Sequence, residues 1–88
     1  MTEAIQMDGA IREIIGTHTR LNASPESLKD TDDLYAAGMT SQASVSVMLA
    51  LEGEFDVEFP DRMLTRSVFA SIASIRLALM ELNNEAAA

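Results

Sequence analysis

The chain has 88 residues, 14 acidic against 6 basic, and a formal net charge of -8; this argues against nucleic-acid phosphates and anionic membranes as partners and makes basic protein surfaces the natural complement. A hydrophobic share of 48% is too apolar for a disordered chain, yet a domain of this size buries only about 60–65% of its unfolded surface and leaves little room for a deep catalytic cleft. No cysteine is present, no apolar run approaches the roughly 20 residues of a membrane span, and Met1-Thr2-Glu3-Ala4 lacks a basic leader start. The expectation is one soluble, cytoplasmic, monomeric domain over residues 1–88.

Ala4, Met7, Ile11, Ile14, Ile15 and His18 recur at spacings of three and four, which predicts a first helix over about 3–17 with Glu3, Asp8, Arg12 and Glu13 facing solvent. Gly16 marks fraying near its end. From 18 to 40 no period is sustained, so a long loop follows, anchored by Leu21, Leu28, Leu34, Tyr35 and Met39. Within it Ser24-Pro25-Glu26 reads as a cap followed by proline, predicting one short turn near 25–28.

A second helix opens at Ser41. Val45, Met48, Leu51, Glu52 and Phe55, with Val47 and Leu49 beside them, make it apolar over more than half its circumference, so one side meets the core and another is offered to a partner. Gly53 and Asp56 weaken it, and Phe59-Pro60 ends it because the residue before proline avoids helical dihedrals. Asp61 to Thr65 makes a short turn. Phe69, Ile72, Ile75, Arg76, Leu79 and Leu82 then predict a last helix over about 68–82, capped by Ser67, with 83–88 a frayed tail. The whole reads as an all-α bundle of three main helices plus one or two short ones.

Ser41 follows an uncharged Gly38-Met39-Thr40 segment at the start of that second helix. A helix N-terminus directs free N–H groups and the positive end of the dipole outward, so it favours a phosphate held on a neighbouring side chain. A serine at such a position also has a plainer role as an N-cap. Position alone leaves both open.

The pattern from Asp33 to Phe59 decides between them. Asp33-Leu34, Gly38-Met39-Thr40-Ser41, Val47-Met48-Leu49-Ala50-Leu51-Glu52 and Glu54-Phe55-Asp56-Val57-Glu58-Phe59-Pro60 together resemble an acyl carrier protein around its phosphopantetheine site, and the distance from Ser41 to Phe55 agrees with that family. Ile14-Ile15-Gly16 and Ser24-Pro25-Glu26 extend the resemblance over most of the chain. It implies a four-helix bundle of acyl-carrier type, with a long loop between helices one and two. It implies that a phosphopantetheinyl transferase joins 4'-phosphopantetheine from coenzyme A to Ser41, and that acyl groups ride as thioesters on its thiol. The tethered arm then reaches several enzymes at high effective concentration. The implied partners are that transferase, an acyl- or aminoacyl-loading ligase and downstream acyl-transfer enzymes of lipid or specialised acyl biosynthesis. The chain itself is expected not to be an enzyme.

Two departures stand out. The family's aspartate before the serine is Thr40 here, and the following apolar residue is Gln42; every position from Leu34 to Leu51 is uncharged. Recognition by partners therefore leans on apolar contact and neutral hydrogen bonds rather than charge steering, through Met39, Thr40, Gln42, Val45, Leu49 and, at the end of the stretch, Glu52. This points to a dedicated partner set and keeps open an aminoacyl or polyketide-type carrier. A helical interaction module with no prosthetic group is the alternative of another class.

Other chemistries fit poorly. His18, the sole histidine, completes a Ser41-His18-Asp triad only on paper, since so small a bundle lacks space for an oxyanion hole and a substrate cleft. Asp30, Asp32 and Asp33 do not make an EF-hand, which would need glycine at Tyr35 and glutamate at Ser41; they read as a solvated acidic loop, and no metal site is expected. Met48 and Met63 are candidates for lining an adaptable cavity and Met80 for the core. Because like charges repel in the compact state, added salt or divalent cation is expected to raise the melting temperature; a midpoint independent of ionic strength in scanning calorimetry contradicts that.

Overall fold

Burial follows the helical period. Met7, Ile11 and Ile15 fall on one stripe and are buried, as are Val47 and Leu51 on a second helix and Ile72, Ile75, Leu79 and Leu82 on a third. The computed structural model describes residues 2–22 and 24–87, with side chains at 7–22 and 24–83. Its elements are α1 (Thr2–His18), a 3-10 turn (Pro25–Ser27), α2 (Ser41–Phe55), a second 3-10 turn (Asp61–Met63) and α3 (Ile72–Ala87). The fold is all-α, three main helices with short extra turns, and α1 packs against both α2 and α3. The side chains of Ala4 and Glu3, expected on the inner and outer faces of α1, lie outside the described residues.

Each helix boundary has a local cause. Gly16 lies inside α1 rather than at a frayed end, and a Cβ there would stand 3.0 Å from Pro25 Cγ, so its missing side chain admits the first 3-10 turn against the helix. α2 ends at Phe55, before Phe59-Pro60 is reached, because Asp56 takes a left-handed conformation (φ 53, ψ 51) and the Val57 N–H closes on Glu52 O at 3.2 Å. Ser67 does not cap the last helix. Ser71 Oγ accepts the Ser74 N–H and Ser74 Oγ accepts the Ser71 N–H, both at 3.1 Å, a reciprocal cap that sets the start at Ile72. The Phe69 ring, released from the helix, meets Phe59 edge-on at 5.4 Å between centroids. At the other end α3 continues to Ala87, where a frayed tail was expected; no glycine or proline interrupts the run, and glutamate and alanine favour helix. Ala88 lies outside the described residues.

The long loop is pinned more firmly than its sequence suggests. Leu28, Leu34 and Met39 are buried, with Leu21 and Tyr35 packed at the margin. The acidic residues, expected to be merely solvated, hold its turns: Asp32 Oδ2 accepts the Lys29 N–H (2.9 Å), and Asp33 Oδ1 accepts the Tyr35 (2.9 Å) and Ala36 (3.3 Å) N–H groups. Asp30 does most. Its Oδ1 accepts Arg12 Nη2 from α1 at 2.9 Å, its Oδ2 accepts Arg76 Nη1 from α3 at 3.1 Å, and its carbonyl accepts the Ala73 N–H at 2.9 Å. Arg12 Nη1 also donates to the carbonyls of Pro25 (2.6 Å) and Leu28 (2.8 Å), and Arg76 Nη1 donates to Asp8 Oδ1 at 2.6 Å. Asp8 and Arg12, predicted to face water, thus belong to an interhelical network. The hydrogen bond from Arg76 to Asp8 raises the guanidinium pKa above its ordinary value, against the opposing effect of desolvation, so the arginine stays charged at any working pH.

Asp30→Ala leaves two guanidinium groups short of an acceptor in a half-buried setting, and is expected to lower the unfolding free energy by about 1–2 kcal/mol, between an exposed pair and a buried charge-assisted bond. Urea denaturation reads this, and an unchanged midpoint removes the network from the forces that hold the loop.

Candidate functional site

The backbone is brought to Ser41 by a tight approach. Gly38 has φ +121, which side-chain-bearing residues rarely adopt, and a Cβ there would stand 3.3 Å from Arg20 O. The Asn22 N–H donates to Ala37 O (2.8 Å) and the Met39 N–H to Leu34 O (2.9 Å), closing the loop just before the helix. Thr40 is then extended (φ -84, ψ 163) and is the N-cap of α2: its Oγ1 accepts the Ala43 N–H at 3.0 Å. Ser41 is the first helical residue. Its carbonyl accepts the Ser44 hydroxyl at 2.6 Å, and among the described residues nothing bonds its own hydroxyl. The N-cap role, one of two roles open to Ser41 on position alone, belongs to Thr40.

Beside Ser41 opens a cleft of ≈ 470 Å³ between α2 and the segment after the second 3-10 turn, lined by Ser44, Val45 and Met48 on one side and Leu64, Thr65 and Phe69 on the other. Tyr35 and Arg66 complete it, with Arg66 Cζ stacked 3.9 Å from the Tyr35 ring centroid. Nothing in the sequence announced this pair, since the two residues are far apart and share no period. Met48 lines the cleft as anticipated. Met63 is buried and also borders a second cavity, together with Met80, which was expected in the core and is 44% exposed.

The predicted docking residues separate. Val45 and Leu49 are 52% and 58% exposed on α2, and Thr40 and Gln42 are also exposed. Met39 is only 3% exposed; the turn at Gly38 points it into the core, so it offers no surface to a partner. Glu52 Oε2 accepts the Phe59 N–H at 2.9 Å, which makes the carboxylate a clasp for the chain leaving α2 rather than a free docking group. His18 is exposed at the end of α1, and among the described residues no hydrogen bond joins it to Ser41, so the triad is not assembled. Among those residues no group of acidic, histidine or cysteine side chains is arranged for a metal, and no helix is long and apolar enough to cross a membrane.

An unbonded primary hydroxyl on the first turn of a helix, opening on an adjacent cleft, is a fitting root for a phosphate-linked arm. The family model for the phosphopantetheine attachment site matches residues 9–79. The chain therefore belongs to the phosphopantetheine-dependent carrier proteins, whose prosthetic group is covalently attached 4'-phosphopantetheine. An aminoacyl carrier protein of Agrobacterium fabrum is 48% identical over 69 residues, 78% of this chain and 83% of that protein. Among solved structures, a carrier protein from Agrobacterium tumefaciens, in complex with an engineered Bradyrhizobium japonicum glycine:[carrier protein] ligase and ATP, superposes with TM-score 0.82 at 44% identity, covering 85% of this chain and 97% of that one. A solution structure of a protein from Agrobacterium tumefaciens gives TM-score 0.68 at 43% identity, covering 92% and 99%.

The separation of cap from hydroxyl is testable by stability alone. Thr40→Ala is expected to cost about 1 kcal/mol through loss of the cap, whereas Ser41→Ala leaves the thermal and urea midpoints close to wild type; the opposite ranking contradicts the assignment.

Proposed function

We propose that residues 1–88 form a single aminoacyl carrier domain with Ser41 as the attachment residue. The observation that carries this reading is the 48% identity to an aminoacyl carrier protein over 83% of its length, supported by the likeness to a carrier bound to a glycine-activating ligase. These relatives favour the aminoacyl alternative over the general lipid-biosynthetic role that the family resemblance first suggested.

The chain's own residues account for the steps assigned to them. Thr40 caps α2, which frees the Ser41 hydroxyl to lose its proton to a transferase and attack the pantetheine-bearing phosphorus of coenzyme A; the new P–O bond makes the phosphodiester as the pyrophosphate bond breaks and adenosine 3',5'-bisphosphate leaves. The positive end of α2 favours the resulting negative charge. When bound, the group supplies a thiol on which the cargo rides as a thioester. Val45 and Leu49 offer an exposed apolar surface one and two turns from Ser41, flanked by Gln42 and unbroken by charge, to which an ATP-dependent aminoacyl ligase and the downstream transfer enzymes dock. The chain is a carrier and performs none of the chemistry itself.

Intact mass spectrometry after incubation with coenzyme A and a broad-specificity phosphopantetheinyl transferase tests the attachment: one phosphopantetheine is gained by the wild type and none by Ser41→Ala. Adding a glycine:[carrier protein] ligase, glycine and ATP to the holo protein is then expected to add one glycyl unit. Leu49→Asp should retain the first gain and slow the second by about tenfold, the scale of a lost interface anchor. A holo protein that accepts a fatty acyl group from an acyl ligase and refuses every amino acid overturns the aminoacyl reading.

A further inference from the structure

We propose that Arg66, held over the Tyr35 ring, is a clamp for the phosphodiester on Ser41; this rests on the assignment of Ser41 as the attachment residue. Three observations support it. Arg66 is the one charged residue among those lining the cleft that Ser41 opens on. Of the other arginines, Arg12 and Arg76 share Asp30, Arg62 has a partner of its own, and Arg20 lines hollows away from this cleft. Arg66 forms no ion pair among the described residues and lies over the Tyr35 ring. In a chain of net charge -8, a cation with no carboxylate partner beside a neutral cleft is placed for an anion that arrives later.

The stacking decides what kind of anion. With its Cζ 3.9 Å from the ring centroid the guanidinium sits over the aromatic face, a contact that uses none of its N–H donors. A planar fork of donors suits two oxygens of one phosphate better than a single point acceptor. Tyr35 itself is fixed at the loop turn by the bond from its N–H to Asp33 Oδ1, so the stack is built on a rigid base. The charged root of the arm is then held at the cleft mouth while the remainder stays mobile. The phosphodiester is common to every cargo, so the clamp acts before loading and does not depend on which amino acid follows.

Holo wild type, Arg66→Gln, Arg66→Lys and Tyr35→Leu are compared by 31P and 15N nuclear magnetic resonance, after intact mass has established phosphopantetheine attachment in each. In the wild type the Arg66 side-chain N–H resonances are expected to shift between apo and holo forms and to exchange more slowly with water in the holo form. The 31P resonance should move in Arg66→Gln toward its position in the urea-unfolded holo protein, with Arg66→Lys and Tyr35→Leu intermediate. Added salt should move the wild-type 31P signal in the same direction and leave that of Arg66→Gln in place. If attachment occurs normally and both the Arg66 signals and the 31P position are insensitive to modification and substitution, the clamp is overturned while the Ser41 assignment stands. If the wild type gains no phosphopantetheine, or Ser41→Ala still gains it, the assignment fails and the clamp with it.

Discussion

Asp30 is the point at which the three parts of the molecule are joined. One carboxylate takes a guanidinium from α1 and another from α3, and the carbonyl of the same residue takes an N–H from the first turn of α3. A loop as long as residues 19–40 loses much conformational freedom when it is ordered, and a small core has little burial with which to offset that loss. Here the ordering is shared. The leucines and Met39 supply apolar anchors, while Arg12 binds the Leu28 carbonyl and adds a second donor to the Pro25 carbonyl, which already accepts the Leu28 N–H, groups that would be costly to leave half-buried and unmet. The Leu34 N–H reaches Ala70 O at 2.7 Å, carrying the same tie to the start of α3. Because the loop is fixed at both Asp30 and Leu34, the short segment from Gly38 to Ser41 arrives at α2 in one register.

That register explains a division of labour between adjacent hydroxyls. A single residue cannot both cap a helix through its side-chain oxygen and offer that oxygen as a nucleophile, since the cap fixes it against a backbone N–H. Thr40 takes the first task, and Ser41 is left with its oxygen unbonded among the described residues. Thr40 stands where the family pattern has an aspartate, and a hydroxyl suffices for the cap. The substitution removes a negative charge next to Ser41 without removing the geometry that presents its hydroxyl. The cost is borne in steering rather than in structure.

Much of this was legible from the sequence, and what was not has physical reasons. The stripes of α1 and α2 and the approximate position of each short turn follow from spacing, because burial imposes a period that local sequence must obey. Ser41 stands out in the sequence through its flanking pattern, and the structure sets it on the first turn of α2. The start of α3 was not legible, because Ser67 and Ser71 look alike as caps until Ser74 is seen to complete a reciprocal pair with one of them. Met39 was misplaced because a helical-face argument does not apply to a residue in a loop that Gly38 turns inward. The bond from the Phe59 N–H to Glu52 was not legible, because the two become adjacent only once Asp56 has reversed the chain. Asp8, Arg12 and Arg76 were read as solvent-facing charges or as part of a stripe, since ion pairs between distant segments leave no periodic trace. The same holds for Tyr35 and Arg66.

The distribution of charge also becomes intelligible once the fold is known. A net charge of -8 suggests a carrier that meets its enzymes through acidic surface, yet the exposed residues around Ser41 on α2 are neutral and Asp8 and Asp30 are tied to arginines inside the bundle. Along α2 beyond Ser41 the exposed surface is apolar area on Val45 and Leu49, which adds close-range affinity but little long-range attraction. Long-range attraction in such a molecule is diffuse and falls off with salt over about 10 Å at 0.1 M, whereas discrimination among partners requires contact. A neutral face gives an enzyme that relies on ion pairs with an acidic helix nothing to pair with, so what α2 withholds bears on specificity as much as what it offers.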